Sequence, residues 1–179
     1  MDDHEILIQF CQTETKEAAF TELVTKYRER LYWHIRRLVV DHADSDDVLQ
    51  NTFLKVWNAL HAFKEHSQLY TWLYRIATNE CLSFIEQKKR KSSFDFDDMA
   101  EVLSNQLKAD SHFNANQLEW KLQLAIQQLP EKQRIVFGLR YFDEMGYAEM
   151  SEILDTSVGA LKASYHHAAK KIAEYIKNS

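Results

Sequence analysis

The stretch Tyr70-Thr71-Trp72-Leu73-Tyr74-Arg75-Ile76-Ala77-Thr78-Asn79 leads, within one helical pattern, to the cationic run Lys88-Lys89-Arg90-Lys91. These are the parts needed to hold single-stranded nucleic acid. Ring faces stack on bases, the short amide of Asn79 can hydrogen-bond a base edge, and the basic tail meets phosphates. The same pattern also fits an amphipathic helix that buries its aromatics and leaves a basic end in solvent. A second set of such residues lies at 147–172, where two short helical patterns flank Asp155-Thr156-Ser157. Asp155 stands at a tight-turn position, which Asp tolerates better than most residues, and Ser157 is placed to cap the second helix. Leu161, Tyr165, Ala168, Ile172 and Ile176 form that helix's apolar stripe. Its other face carries Ala160, Lys162, Ala163, His166, His167 and Lys170, the arrangement with which a helix-turn-helix addresses a major groove. Any pair of short helices with an apolar stripe would share this pattern. The neighbouring His166 and His167 diverge by about 100° on a helix and do not suit one metal ion.

The elements that must position these groups are helical. The chain has 179 residues, 45% hydrophobic, with 3 Gly and 1 Pro, so helix breakers are too scarce for a turn-rich β fold. Phe20, Leu23, Val24, Tyr27, Leu31, Ile35, Leu38 and Val39 predict a long helix whose other face carries Arg28, Arg30, Arg36 and Arg37. Asp44-Ser45-Asp46-Asp47 opens the next helix, with Asp44 as its expected cap. Val48, Leu49, Thr52, Phe53, Val56, Trp57 and Leu60 are its expected buried stripe, with Phe53 and Trp57 read as core. Asp46, Asp47, Gln50 and Asn51 leave one acidic, polar surface, which is also what a capped and solvated helix start looks like. The polar stretch 64–68 precedes the aromatic helix, in which Trp72 and Leu73 are expected to be core.

Residues 92–117 lose any sustained period and read as an acidic linker. Periodicity returns at Leu118, Leu122, Ala125, Ile126 and Leu129, and Pro130 suits the first turn of the following helix. The expected architecture is all-α: two small helical domains, 1–91 and 118–179, joined by an acidic linker, the second domain a helix-turn-helix.

A net charge of −5 argues against a DNA binder, yet the charge is segregated. Residues 20–40 hold five basic and two acidic groups, a local +3, and residues 61–91 hold six and three, again +3. Residues 41–60 hold four acidic groups and Lys55, a local −3, and residues 92–119 hold six and Lys108, a local −5. A polyanion responds to the local field. Cys11 and Cys81 are far apart and outside any C-x-x-C spacing, as in a reduced cytosol. There is no signal peptide and no apolar run of about 18 residues, so a soluble cytoplasmic protein without membrane insertion is expected. No P-loop, H-E-x-x-H or G-x-S-x-G occurs and the histidines lack metal-ligand spacing, so no enzyme, cofactor or metal site is expected.

Three strings in order carry a resemblance. Residues 44–57, Asp44-Ser45-Asp46-Asp47-Val48-Leu49-Gln50-Asn51-Thr52-Phe53-Leu54-Lys55-Val56-Trp57, are followed by 63–79, which end in Tyr-Thr-Trp-Leu-Tyr-Arg-Ile-Ala-Thr-Asn, and by 129–137 with the helix-turn-helix behind them. Together they resemble the bacterial RNA polymerase sigma factors of the sigma-70 family, in the compact extracytoplasmic-function branch, over about residues 15–176. The resemblance implies a dissociable subunit that docks on core RNA polymerase (clamp and flap regions), recognises the −10 and −35 elements of promoter DNA, and melts the −10 region. An anti-sigma protein is a further partner it implies. By the same resemblance Asp46, Asp47, Gln50 and Asn51 are candidates for polymerase binding. Lys64, Ser67, Leu69, Tyr70, Arg75, Asn79, Lys88, Lys89 and Arg90 are candidates for −10 DNA, and Ser157, Ala160, Lys162, Ala163, His166, His167 and Lys170 for −35 DNA. Two departures stand out: Glu65 occupies a loop position where the family often has Gly, and the recognition helix, with Ser164, His167 and Ala169, is poor in arginine.

Overall fold

The computed structural model describes residues 1–91 and 117–179. Every regular element among the described residues is helical: α1 (Asp3–Phe10), α2 (Lys16–Val39), α3 (His42–Ala59) with a 3₁₀ turn at Leu60–Ala62, α4 (Leu69–Lys91), α5 (Gln117–Gln127), α6 (Glu131–Tyr141), α7 (Tyr147–Leu154) and α8 (Val158–Asn178). The chain divides into two compact units, Met1–Ile85 and Glu86–Ser179, so the division falls inside the last turns of α4. Apart from Gln117, the expected acidic linker lies outside the described residues.

In the N-terminal unit α2 is the central helix. Its Leu23, Leu31 and Ile35 are fully buried, as are Ile6 and Phe10 of α1, Val56 of α3, and Leu73 and Ala77 of α4. The helix α1 had no counterpart in the expected elements. It is held at its start by a capping box between Asp2 and Glu5. Asp3 ties it to α2, accepting from Tyr27 Oη at 2.7 and 2.8 Å and from Lys26 Nζ at 2.8 Å. Burial, followed by the Asp3 hydrogen bond, pushes the Tyr27 phenol well above its ordinary pKa. Burial likewise raises the Cys81 thiol, while Cys11 is exposed.

Between α2 and α3 the chain turns in a single residue. Val40 has φ 73° and ψ −50°, and Asp41 N–H donates to the Val39 carbonyl at 3.0 Å, a γ-turn of the rare positive-φ kind. The extended backbone of Asp41 then caps α3, its carboxylate accepting from Asp44 N–H at 2.9 Å. The cap is therefore Asp41 rather than Asp44, because the tight corner lets the helix begin earlier than the acidic run suggested.

In the C-terminal unit Ala125, Ile126, Leu129, Phe137, Ala168 and Ile172 form the core on which Tyr165 and Phe142 pack. Pro130 stands at the N-cap, one residue before α6, with the extended backbone that proline permits. The turn between α7 and α8 follows the expectation. Asp155 is left-handed (φ 50°, ψ 48°), and Ser157 Oγ accepts from Ala160 N–H at 3.2 Å.

Candidate nucleic-acid and partner-binding surfaces

Helices α2 and α3 frame an open groove of about 740 Å³. Phe20 and Val24 from α2 and Phe53 and Trp57 from α3 supply its apolar lining, with Arg28, Asp46, Asp47 and Gln50 as polar members. Phe53 and Trp57 were expected to be core, and the structure gives them two tasks. Each is half-buried in an aromatic cluster, with Phe20 at 6.3 Å from Phe53 and 5.0 Å from Trp57, yet each also lines the groove. Lys16 Nζ lies 4.6 Å from the Trp57 ring centre, a cation–π contact. Leu54, 58% exposed, extends the apolar lining outward. Asp46, Asp47, Gln50 and Asn51 are all exposed; the first three line the groove and Asn51 does not. An apolar channel bearing carboxylates suits an amphipathic segment with basic residues.

On α4 the outward residues are Arg75 and Asn79, followed by Lys88, Lys89 and Arg90 on the last turns. Arg90 bonds Glu86 at 2.6 Å, one turn back. Lys64 is exposed, and Ser67 and Tyr70 are half-buried. Leu69 is the exception among the −10 candidates: as the first residue of α4 it is 3% exposed and belongs to the core, so its side chain has no surface to offer DNA. Leu73 is core as expected, whereas Trp72 is half-buried with its ring 5.1 Å from Phe63. Glu65 adopts φ 55°, the left-handed backbone that glycine would take without strain. Its carboxylate lies 3.6 Å from His4 Nδ1.

Several neighbours of this surface escaped the sequence reading. The Arg30 guanidinium sits over Tyr70 and Tyr74, 5.8 and 5.9 Å from the ring centres. His34, buried in α2, shares a 2.8 Å hydrogen bond with Thr78. Lys55 of α3 forms an ion pair with Glu80. Arg30 carried a usable signal as part of the local positive charge, but nothing in the chain announces that residues 44 or 25 positions apart will meet.

On α8 the side chains of Ala160, Lys162, Ala163, His166, His167 and Lys170 are all exposed, and Ser157 sits at the helix start. Lys162 Nζ is 5.7 Å from the Tyr147 ring centre, and Arg140 lies 4.8 Å from the same ring while donating to the Met145 carbonyl at 2.9 Å. Two cations thus share Tyr147, a residue the sequence reading passed over. In α6, burial lowers the Arg134 guanidinium pKa against the opposing influence of Glu131.

Comparison with known proteins covers both units. The family model Sigma-70 region 2 matches residues 23–91, and Sigma-70, region 4 matches residues 119–172. The chain is 31% identical over 163 residues to the RNA polymerase sigma-H factor of Pseudomonas aeruginosa, covering 86% of this chain and 84% of that protein. It is 30% identical over 164 residues to the ECF RNA polymerase sigma-E factor of Escherichia coli K12 (87% and 85% covered). Identity to ECF RNA polymerase sigma factor SigW of Bacillus subtilis is 28% over 172 residues (89% and 90%). Among solved structures, CnrH in complex with the cytosolic domain of CnrY shares the fold with a TM-score of 0.73 at 22% identity, covering 99% of this chain and 98% of that one. The sigma factor RpoE in complex with the anti-sigma factor NepR from Bartonella quintana gives 0.70 at 20% identity (88% and 96%).

Proposed function

From the premise that this chain belongs to the extracytoplasmic-function branch of the sigma-70 family, and so serves promoter-directed initiation with RNA polymerase rather than catalysis of its own, we propose how its surfaces divide that work. Residues 1–91 act as the unit that binds core polymerase and reads the −10 element, 92–117 as the linker, and 118–179 as the −35 reader. Asp46, Asp47 and Gln50, on the groove between α2 and α3, meet a basic, amphipathic element of the polymerase clamp, with Asn51 on the flank. The C-terminal unit contacts the flap.

At the −10 element a base leaves the stack, at a cost of a few kcal/mol that the protein must offset with new contacts. Asn79 reads a base edge. Tyr70 and the Lys64–Ser67 loop form the pocket, and Arg75 with Lys88, Lys89 and Arg90 holds backbone. In the C-terminal unit Lys162, Ala163, His166 and His167 address the −35 groove, with Ser157, Ala160 and Lys170 at the phosphates. The observation that carries this reading is the exposure of Asn79 and Arg75 on the same unit as the carboxylate-lined groove. An anti-sigma protein of the kind bound to the structural relative RpoE would cover that groove when the factor is idle. No described helix is long and apolar enough to cross a membrane, and the factor works where the polymerase does, in the cytoplasm.

Run-off transcription with core polymerase tests the proposal. Core enzyme plus this chain should initiate at a defined start site that core enzyme alone ignores. Binding to duplex DNA without initiation would reduce the protein to a helix-turn-helix regulator, and neither activity would leave a protein-only adaptor.

A further inference from the structure

Residues 78, 79 and 80 point in three directions, because successive side chains on a helix diverge by about 100°. Thr78 is fully buried and shares its 2.8 Å hydrogen bond with His34 of α2. Glu80, its side chain 12% exposed, forms its ion pair with Lys55 of α3. Asn79, between them, is exposed. The proposed base reader is thus flanked on both sides by polar links, each running to a different helix.

We infer that the Thr78–His34 and Glu80–Lys55 links are a positioning clamp that fixes the rotation of α4 and so aims the Asn79 amide at its base. The inference rests on the reading of Asn79 given above. Hydrogen-bond readout demands placement within about 0.5 Å and 10–20°. A rotation of α4 by roughly 15° would carry an amide some 6 Å from the helix axis by roughly 1.5 Å. Apolar packing alone permits such rolling more readily than a directional link does. Glu80 makes the clamp sensitive to its partner: a carboxylate so little exposed is costly without a cation nearby, and it gains by swinging toward water. Removing Lys55 therefore favours rotation of α4 in the direction that exposes Glu80, taking Asn79 with it. Lys55 lies on the helix that carries the polymerase-docking carboxylates, so the clamp also ties the aim of the −10 reader to the docking element.

The test uses holoenzyme assembled at saturating factor on promoters in which each −10 position is substituted in turn, scoring open-complex formation as the ratio of native to substituted template. Asn79→Ala should collapse that ratio toward one at a single position. Lys55→Met should lower the ratio at the same position by about fivefold while leaving the others within twofold, the loss expected when one base contact is misplaced. Adding Glu80→Gln to Lys55→Met removes the charge that drives the rotation and should recover most of the ratio. Thr78→Val, which keeps shape but removes the hydroxyl, should lower the same ratio by a smaller factor. Lys55 is an exposed side chain, so thermal melting should show the variants folded. An equal loss at all positions, an unchanged ratio, or a further loss on adding Glu80→Gln would overturn the clamp. If no position responds to Asn79→Ala, the reading of Asn79 itself fails and the clamp falls with it.

Discussion

The two units are built from the same material and prepare their surfaces differently. In the N-terminal unit the exposed groups stand on helices linked by polar contacts across helix boundaries: Asp3 to Tyr27 and Lys26, Thr78 to His34, and Glu80 to Lys55. The C-terminal unit also has polar links between helices, Lys171 to Gln133 and Arg134 to Gln127, but the outward face of α8 presents two alanines, two histidines and two lysines, and Lys162 is seated loosely over Tyr147. The first surface is suited to placing an atom, the second to supplying charge. Discrimination between bases is therefore expected to reside mainly in the first unit, and salt sensitivity in the second.

The largest effect is expected where placement matters most. Asn79→Ala should depress initiation on a duplex promoter by more than tenfold relative to a template with a pre-melted −10 bubble, consistent with about 1–3 kcal/mol for a specific base contact. Equal loss on both templates would mark a folding defect and break the contrast. Next, replacing Asp47 and Gln50 together by Ala should weaken holoenzyme assembly by about tenfold, near 1.4 kcal/mol, with helicity by circular dichroism unchanged. Unaltered affinity in a competition assay would remove the groove from the docking surface.

Smaller effects are expected on α8. Lys162→Ala should weaken binding to all −35 sequences alike by about 1 kcal/mol, and the salt slope should fall by roughly one unit. Loss confined to one base position would instead give the C-terminal unit a placed reader and blur the distinction. Smallest is the histidine effect. The His166→Ala, His167→Ala double variant, which removes two exposed hydrogen-bonding rings from the outward face of α8, should weaken −35 binding by about threefold. Unchanged binding would leave Lys162 and Lys170 to supply the field alone.

Long amphipathic periods made α2, α4 and the helix-turn-helix legible in the sequence, down to the left-handed Asp155 and the Ser157 cap. Helix α1 was missed because eight residues with Ile6, Leu7, Ile8 and Phe10 give no sustained period. Four aspartates within seven residues made the cap of α3 ambiguous, and the corner at Val40 that selects Asp41 leaves no mark in a β-branched residue type. Leu69 was misplaced by its position at a loop boundary: it directly follows the polar stretch, yet it turns inward as the first residue of α4. The surface residues Asp47, Asn79 and Lys162 could be named from their strings. Their supports, His34, Lys55 and Tyr147, could not, because period and composition describe one helix at a time.

The corner at Val40 also governs which changes of length the chain can tolerate. Val40 and Asp41 alone connect α2 to α3, and the buried Val40 side chain, 4% exposed, holds a backbone that valine adopts at a cost of about 1–3 kcal/mol. Glycine would relieve that strain and forfeit a comparable amount of core burial, so substitution offers little gain. Insertion is another matter. One residue added within the first turn of α3 displaces every later side chain by about 100° around that helix. Phe20, Val24 and Arg28 would then face a different side of α3, and the groove would lose its carboxylates without the loss of a single acidic residue. Length at this junction is therefore constrained as tightly as the identity of any side chain in the groove.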